Sequence, residues 1–271
     1  MFQYALGRNL SLIHDVPFKI DSSYLEKENQ SARTLRIDGF KTFLDEATLD
    51  EIKIYRSTLQ KILDRARPDS KRKKILELSP KFDSTILKRS DGYFVGHWND
   101  ERYFKTSEAI IRKDFELKRP LGISAQIIAE RILLEPEPIS VHIRRGDYAS
   151  IQKIADEHGT LPLSYYKTAC DKILEKFPDA RFFVSSDDID WSKENFPQSY
   201  PATFVSSQEI SDCEELLLMS LCKHNIIANS TFSWWGAWLN QHSDKIVITP
   251  RNWKKNASEE QNPSLPNWLK L

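Results

Sequence analysis

The 271-residue chain is poor in cysteine. Cys170, Cys213 and Cys222 are its only three, an odd number without metal-type spacing, each in an apolar, helix-like stretch. That excludes a disulfide framework and a cysteine metal centre, and predicts buried free thiols in a reducing compartment. Long apolar runs are missing too. No stretch approaches the ~20 apolar residues that span a bilayer, and no amino-terminal segment reads as a signal peptide, so the expected location is cytoplasmic. Net charge is absent: 39 Lys+Arg balance 39 Asp+Glu. A general nucleic-acid binder shows a clustered basic excess. The one basic cluster, Lys71-Arg-Lys-Lys74, reads as a solvated face, so no nucleic-acid partner is expected. Internal repeats are lacking as well.

The balance of charge hides an asymmetry. Residues 1–124 carry 24 basic against 19 acidic side chains, and residues 125–271 carry 15 against 20. Any anionic ligand of the second half must therefore be held by a few placed arginines and backbone donors, not by bulk charge.

What is present begins with His142-Ile-Arg-Arg-Gly-Asp-Tyr148, directly after the apolar run Ile139-Ser-Val141. A buried strand that delivers two arginines to its carboxyl end suits a ligand with clustered oxygens, phosphate first. Surface pairing with acidic neighbours is the competing reading. Further apolar runs follow at 181–186, 202–206, 225–228 and 245–249, with helix-like stretches between them. Such alternation predicts an α/β fold with a parallel sheet. Earlier in the chain, helical spacing marks Thr48–Leu63 and Thr106–Phe115, and Pro120–Pro138 is the candidate linker, containing a helix over Ile123–Leu134.

Three stretches together resemble the α-1,2-fucosyltransferases of glycosyltransferase family 11. They are His142–Tyr148, Ser185-Ser-Asp-Asp188, and the long block Cys222-Lys-His-Asn-Ile-Ile-Ala-Asn-Ser-Thr-Phe-Ser-Trp-Trp-Gly-Ala-Trp238. The opening Met1-Phe-Gln-Tyr-Ala-Leu-Gly-Arg8 is similar to the end of that family's amino-terminal motif. The resemblance implies a GT-B architecture, two Rossmann-like domains facing across a cleft, here divided as 1–124 on the acceptor side and 125–271 for GDP-fucose. The first would be incomplete, since the family's initial strand and Gly-x-Gly-Asn-Gln loop precede the first Met of this chain. It also implies inverting, metal-independent transfer of fucose from GDP-fucose to the 2-OH of a galactose-terminated glycan. The unanchored chain resembles bacterial members, with peripheral attachment to the inner membrane left open.

Site roles follow from that donor. Alternation along the strand puts His142 and Arg144 on one face, so Arg144 is expected on the β-phosphate and Arg145 elsewhere, paired with a carboxylate or reaching the acceptor. Ser230, Thr231 and Ser233 open a helix and are assigned to the pyrophosphate, against an ordinary N-cap. Phe232 is expected against the nucleotide. Trp234 and Trp238 share a helix face and read as core. Glu215 is expected on guanine, since relatives place a carboxylate there, with a solvent-facing residue as the alternative. Asp188 is expected near the nucleotide or sugar. Asp147 is either the general base or a group that orients Arg144 or Arg145.

Two further readings stay open. Asp188-Ile-Asp190 is literally a D-x-D, which would make the protein a metal-dependent glycosyltransferase, while Asp187 offers a simple helix cap. A catalytically silent GDP-sugar-binding remnant is the other. Aromatics at Tyr93, Phe94, Trp98 and Tyr103 either stack on a galactoside or fill a core.

Overall fold

A computed structural model describes residues 1–23, 35–255 and 261–271. The chain divides into two compact units, Met1–Lys118 and Arg119–Leu271.

In the first unit, helix α1 (Phe2–His14) buries Phe2, Tyr4, Leu6 and Leu10. Its Asn9 is fully buried and hydrogen-bonded through both side-chain polar atoms. The amide donates to the Tyr103 carbonyl, while the side-chain oxygen accepts from Thr106 and Ser107. The single helix predicted over 48–63 is two, α2 (Leu49–Arg56) and α3 (Thr58–Ala66). The break is Ser57, whose backbone is extended (ψ 154°) and whose hydroxyl caps α3 by accepting the Gln60 N–H. Thr48 and Glu51 close a capping box at the start of α2. Strands β1 (Lys74–Leu76) and β2 (Tyr93–Val95) form a short parallel pair, and α4 (Glu108–Asp114) completes the unit. There Asp114 accepts from Tyr4 and pairs with Arg8.

The second unit starts with α5 (Ile123–Leu134), within the bounds its apolar spacing predicts. Strand β3 (Pro138–Ile143) follows and is buried throughout. Pro138 is its first residue, where a missing N–H costs little. Short helices α6 (Gly146–Ser150) and α7 (Gln152–Glu157) lead to α8 (Leu163–Lys176). Then come β4 (Arg181–Ser186), α9 (Ile189–Asn195), β5 (Ala202–Phe204) and α10 (Asp212–Leu221). The unit closes with β6 (His224–Ile226), α11 (Thr231–Leu239), β7 (Val247–Thr249) and β8 (Leu269–Lys270).

All six strands, β3 to β8, are parallel, in the order β5-β4-β3-β6-β7-β8. One apolar cluster packs Tyr166, Ala169, Cys170 and Ile173 of α8 against Val141, Phe182 and Ile226 of the sheet. A second packs Ala125, Ala129 and Ile132 of α5 with Leu218 and Cys222 against Phe183. Phe182 and Phe183 are successive on β4 and so point to opposite faces; the sheet is therefore covered on both sides, as a parallel sheet requires. The α/β class and the parallel sheet are as the sequence predicts, and all three cysteines are buried free thiols.

The strand order decides where a ligand can sit. From β3 the chain proceeds outward through β4 and β5, then returns to place β6 on the other side of β3. The order reverses between β3 and β6, the switch point at which open α/β sheets form a ligand crevice beyond the strands' carboxyl ends.

Candidate functional site

The His142–Tyr148 segment leaves β3 at that crevice. His142 is buried, and its Nδ1 has no hydrogen-bond partner. Burial, reinforced by the Arg144 charge, pushes its pKa down to about 3. The imidazole is therefore neutral, with its ring 5.6 Å from that of Phe232 at the start of α11.

Arg144 stands between two carboxylates. One guanidinium nitrogen lies 2.7 Å from Asp187 Oδ2 and another 2.5 Å from Asp147 Oδ1. Its guanidinium carbon is 5.1 Å from the Tyr148 ring centroid. Tyr148 in turn donates its hydroxyl to the Asn229 carbonyl at 3.3 Å. This bond ties the arginine segment after β3 to the turn after β6, so the two sides of the crevice are joined.

Arg145 takes different side-chain partners. Its side chain lies 3.3 Å from Asp188 and 3.7 Å from the Trp191 ring centroid. Its backbone N–H donates to Asp187 Oδ1 at 2.8 Å. Asp187 thus holds the Arg144 side chain with one oxygen and the Arg145 backbone with the other. Gly146 permits this approach, because a Cβ there would lie 2.3 Å from Asp187 Oδ2.

The cap of α9 is Asp188, not Asp187: Asp188 accepts the Trp191 N–H at 3.4 Å. So Asp188 both caps a helix and pairs with Arg145. Asp190, the second acid of the D-x-D, is exposed and pairs with Lys193. Among the described residues, no group of three or more His, Cys, Asp or Glu is arranged to hold a metal ion.

On the β6 side, the Asn229 amide donates to the carbonyls of His158, Gly159 and Trp253. Next, Ser230 is buried and caps α11 by accepting the Phe232 N–H at 3.3 Å. Ser233 is also buried and gives its hydroxyl to the Ser230 carbonyl. Of the three hydroxyls, only that of Thr231 is on an exposed residue. Two hydroxyls therefore shape the helix start. The anion-attracting feature there is the first-turn N–H groups and the end of the helix dipole. Trp234, Trp235 and Trp238 are all buried, and Trp234 donates its indole N–H to the Pro263 carbonyl. These rings fix α11; they are core.

Glu215 lies half-buried on α10 and bonds to Ser206, whose hydroxyl accepts the Ser186 N–H at the end of β4. Burial, with repulsion from Asp212 and Asp187 and against the stabilising Ser206 bond, raises its pKa to about 7. This is not the fully solvated helix residue that its sequence position allows.

The sequence marks Asp187 as part of the Ser185–Asp188 stretch and as a helix cap, not as a partner of Arg144, and gives no signal for Trp191. Tyr148 and Asn229 belong to the quoted motifs, but their mutual bond depends on the adjacency of β3 and β6. In the first unit, Trp98 and Tyr103 are core residues in edge-to-face contact, while Tyr93 is half-buried and stacks on Tyr55.

Residues 79–271 match glycosyl transferase family 11. An O-antigen biosynthesis glycosyltransferase, WbnK, of Escherichia coli is 41% identical over 136 residues, 49% of this chain and 44% of that protein. An α-1,2-colitosyltransferase of Escherichia coli is 35% identical over 187 residues, 66% of this chain and 62% of that protein. The galactoside α-(1,2)-fucosyltransferase 1 of Aotus azarae is 29% identical over 137 residues, 48% and 37% of the two chains. The chain thus spans about half the length of the curated relatives it matches.

Proposed function

The chain belongs to glycosyltransferase family 11, and on that footing we propose that it transfers L-fucose from GDP-β-L-fucose, with inversion, to the 2-OH of a terminal galactoside. The product carries an α-1,2 linkage, and the setting is the assembly of a bacterial surface glycan such as an O-antigen. Relatives named as α-1,2 transferases of fucose and of colitose support the linkage.

The observation that carries this reading is the convergence, at one switch point, of Arg144 after β3 and the amino terminus of α11 after β6. Cleavage of the bond between fucose and the β-phosphate leaves extra negative charge on the diphosphate as the sugar becomes cation-like. Preorganised donors aimed at that charge lower the barrier. In this reading Arg144 and the first-turn amides of α11 take the diphosphate, with the Ser230 and Ser233 hydroxyls holding the turn in shape and Thr231 facing the ligand. The unpartnered His142 nitrogen and Phe232 line the same crevice, and Glu215 accepts from the guanine edge. Asp188 supports the sugar side through Arg145. Asp147 and Asp187 orient Arg144, and Asp147 exchanges its arginine contact for the acceptor proton as the base. No metal is required, because the arginine and helix terminus supply the positive potential.

The experiment is to incubate the purified chain with GDP-fucose and a galactose-terminated acceptor, with and without EDTA, and determine the product linkage by NMR. An α-1,2-fucoside formed equally in EDTA supports the proposal. GDP binding without any product selects a binding-only protein, and loss of activity in EDTA selects the metal-dependent alternative.

A further inference from the structure

Helix α3 is amphipathic in the wrong sense for a globular surface. Its apolar residues Leu59, Ile62, Leu63 and Ala66 follow the spacing that makes one stripe, yet all four are exposed, Leu59 to 67% and Ile62 to 57%. The side turned inward carries Asp64, the one buried residue of the helix. Its carboxylate accepts the backbone N–H groups of Lys73 and Lys74 and the Gln60 amide. Moreover, Arg72 donates to the Asp64 carbonyl. This network fixes the rotation of α3, so the outward stripe is built in. On the preceding α2, Ile52 is buried and Ile54 is exposed.

The charge around the stripe is strongly one-sided. Residues 57–76 hold seven Lys and Arg against two acids, Asp64 and Asp69, in a chain whose net charge is zero. The acids are occupied, Asp64 by the contacts above and Asp69 by Arg72. Exposed Lys61 and Arg65 on α3 and Lys71 beyond it make no ion pair among the described residues. Long cationic side chains beside an exposed Leu/Ile stripe match a surface that is apolar below and anionic at the level of the headgroups. Nucleic acid would meet the cations but leave the leucines in water.

We propose that the outward face of α3, with its basic flank, is a docking surface for an anionic lipid bilayer. The helix lies in the plane of the interface, the stripe enters the acyl boundary, and Lys61, Arg65 and Lys71 meet acidic headgroups.

The test is co-sedimentation of the full chain with phosphatidylglycerol/phosphatidylcholine vesicles and with pure phosphatidylcholine vesicles. The wild type is expected to sediment with the anionic vesicles, with affinity falling as salt is raised and on neutral vesicles. L59S/I62S and K61E/R65E are each expected to lower that affinity by about tenfold or more. Since the substituted side chains are exposed, circular dichroism and the melting temperature should stay unchanged. Failure of the wild type to bind anionic vesicles overturns the proposal, as does equal binding by either variant. A wild-type dimer in sedimentation equilibrium that L59S/I62S dissolves also overturns it, assigning the stripe to a second copy of the chain.

Discussion

Asp187 Oδ2 lies 2.7 Å from the Arg144 guanidinium, while its other oxygen accepts the Arg145 N–H at 2.8 Å. One carboxylate thereby fixes both the direction of the arginine and the path of the chain that carries it. If Asp187 orients Arg144 for a leaving group, D187N should keep the shape but weaken the grip. The expected result is a fall in kcat with little change in GDP-fucose KM, and a larger loss in D187A that D187N partly rescues. Equal kinetics in wild type and D187A would remove Asp187 from the mechanism.

Gly146 sits where a Cβ would come within 2.3 Å of that carboxylate. G146A must therefore displace Asp187 or the α6 turn. Overpacking of this kind costs ~1–3 kcal/mol, and the expected outcome is a lowered Tm together with reduced kcat. Wild-type values of both would show that the approach is not tight in solution.

Glu215 is raised to about 7, chiefly by burial. In the proposed role it is the carboxylate form that accepts from guanine, so GDP affinity should rise as pH increases through about 7. In E215Q affinity should be weaker and this dependence flattened, as read by calorimetric titration between pH 6 and pH 8. A wild-type affinity that is flat across that range, or unchanged in E215Q, would take Glu215 out of the guanine site.

His142 and His224 are both held below the ordinary histidine range, first by burial. The unfolded chain therefore takes up these protons first as pH falls. The stability each contributes is complete above the ordinary value of 6.5; for His142 it is lost progressively down to about 3. His224 has a second constraint, since its Nδ1 accepts the Ile246 N–H and cannot also carry a proton. Urea midpoints should drop between pH 7.5 and pH 5, with a smaller drop in H142N. Identical acid sensitivity in H142N would assign the loss elsewhere.

The second unit was largely legible in the sequence because its strands are short β-branched or aromatic runs and its helices carry clean apolar spacing. Ile123–Leu134 and the buried face of Trp234 and Trp238 follow from periodicity alone. Less legible were features set by a single side chain. The break at Ser57 depends on one hydroxyl choosing a cap over continued helix. The pairing of Asp187 with Arg144 depends on β3 and β4 lying side by side, which no local pattern encodes. For the same reason the helix cap fell on Asp188 while its neighbour turned to the arginines. At the chain's end, β8 is two residues long and joins the sheet only through its register with Ile248 and Thr249.

In the proposed reaction Arg144 stabilises the departing diphosphate more than it stabilises bound donor. Steady-state kinetics of R144A with GDP-fucose and a galactoside, beside calorimetric GDP binding, tests it most directly. Loss of a preorganised donor costs ~2.7–4 kcal/mol in the barrier, so kcat should fall about a hundredfold or more. R144K should recover little, lacking the planar fork. A kcat within a few-fold of wild type in R144A, with any change confined to KM, would remove Arg144 from the stabilisation of the leaving group.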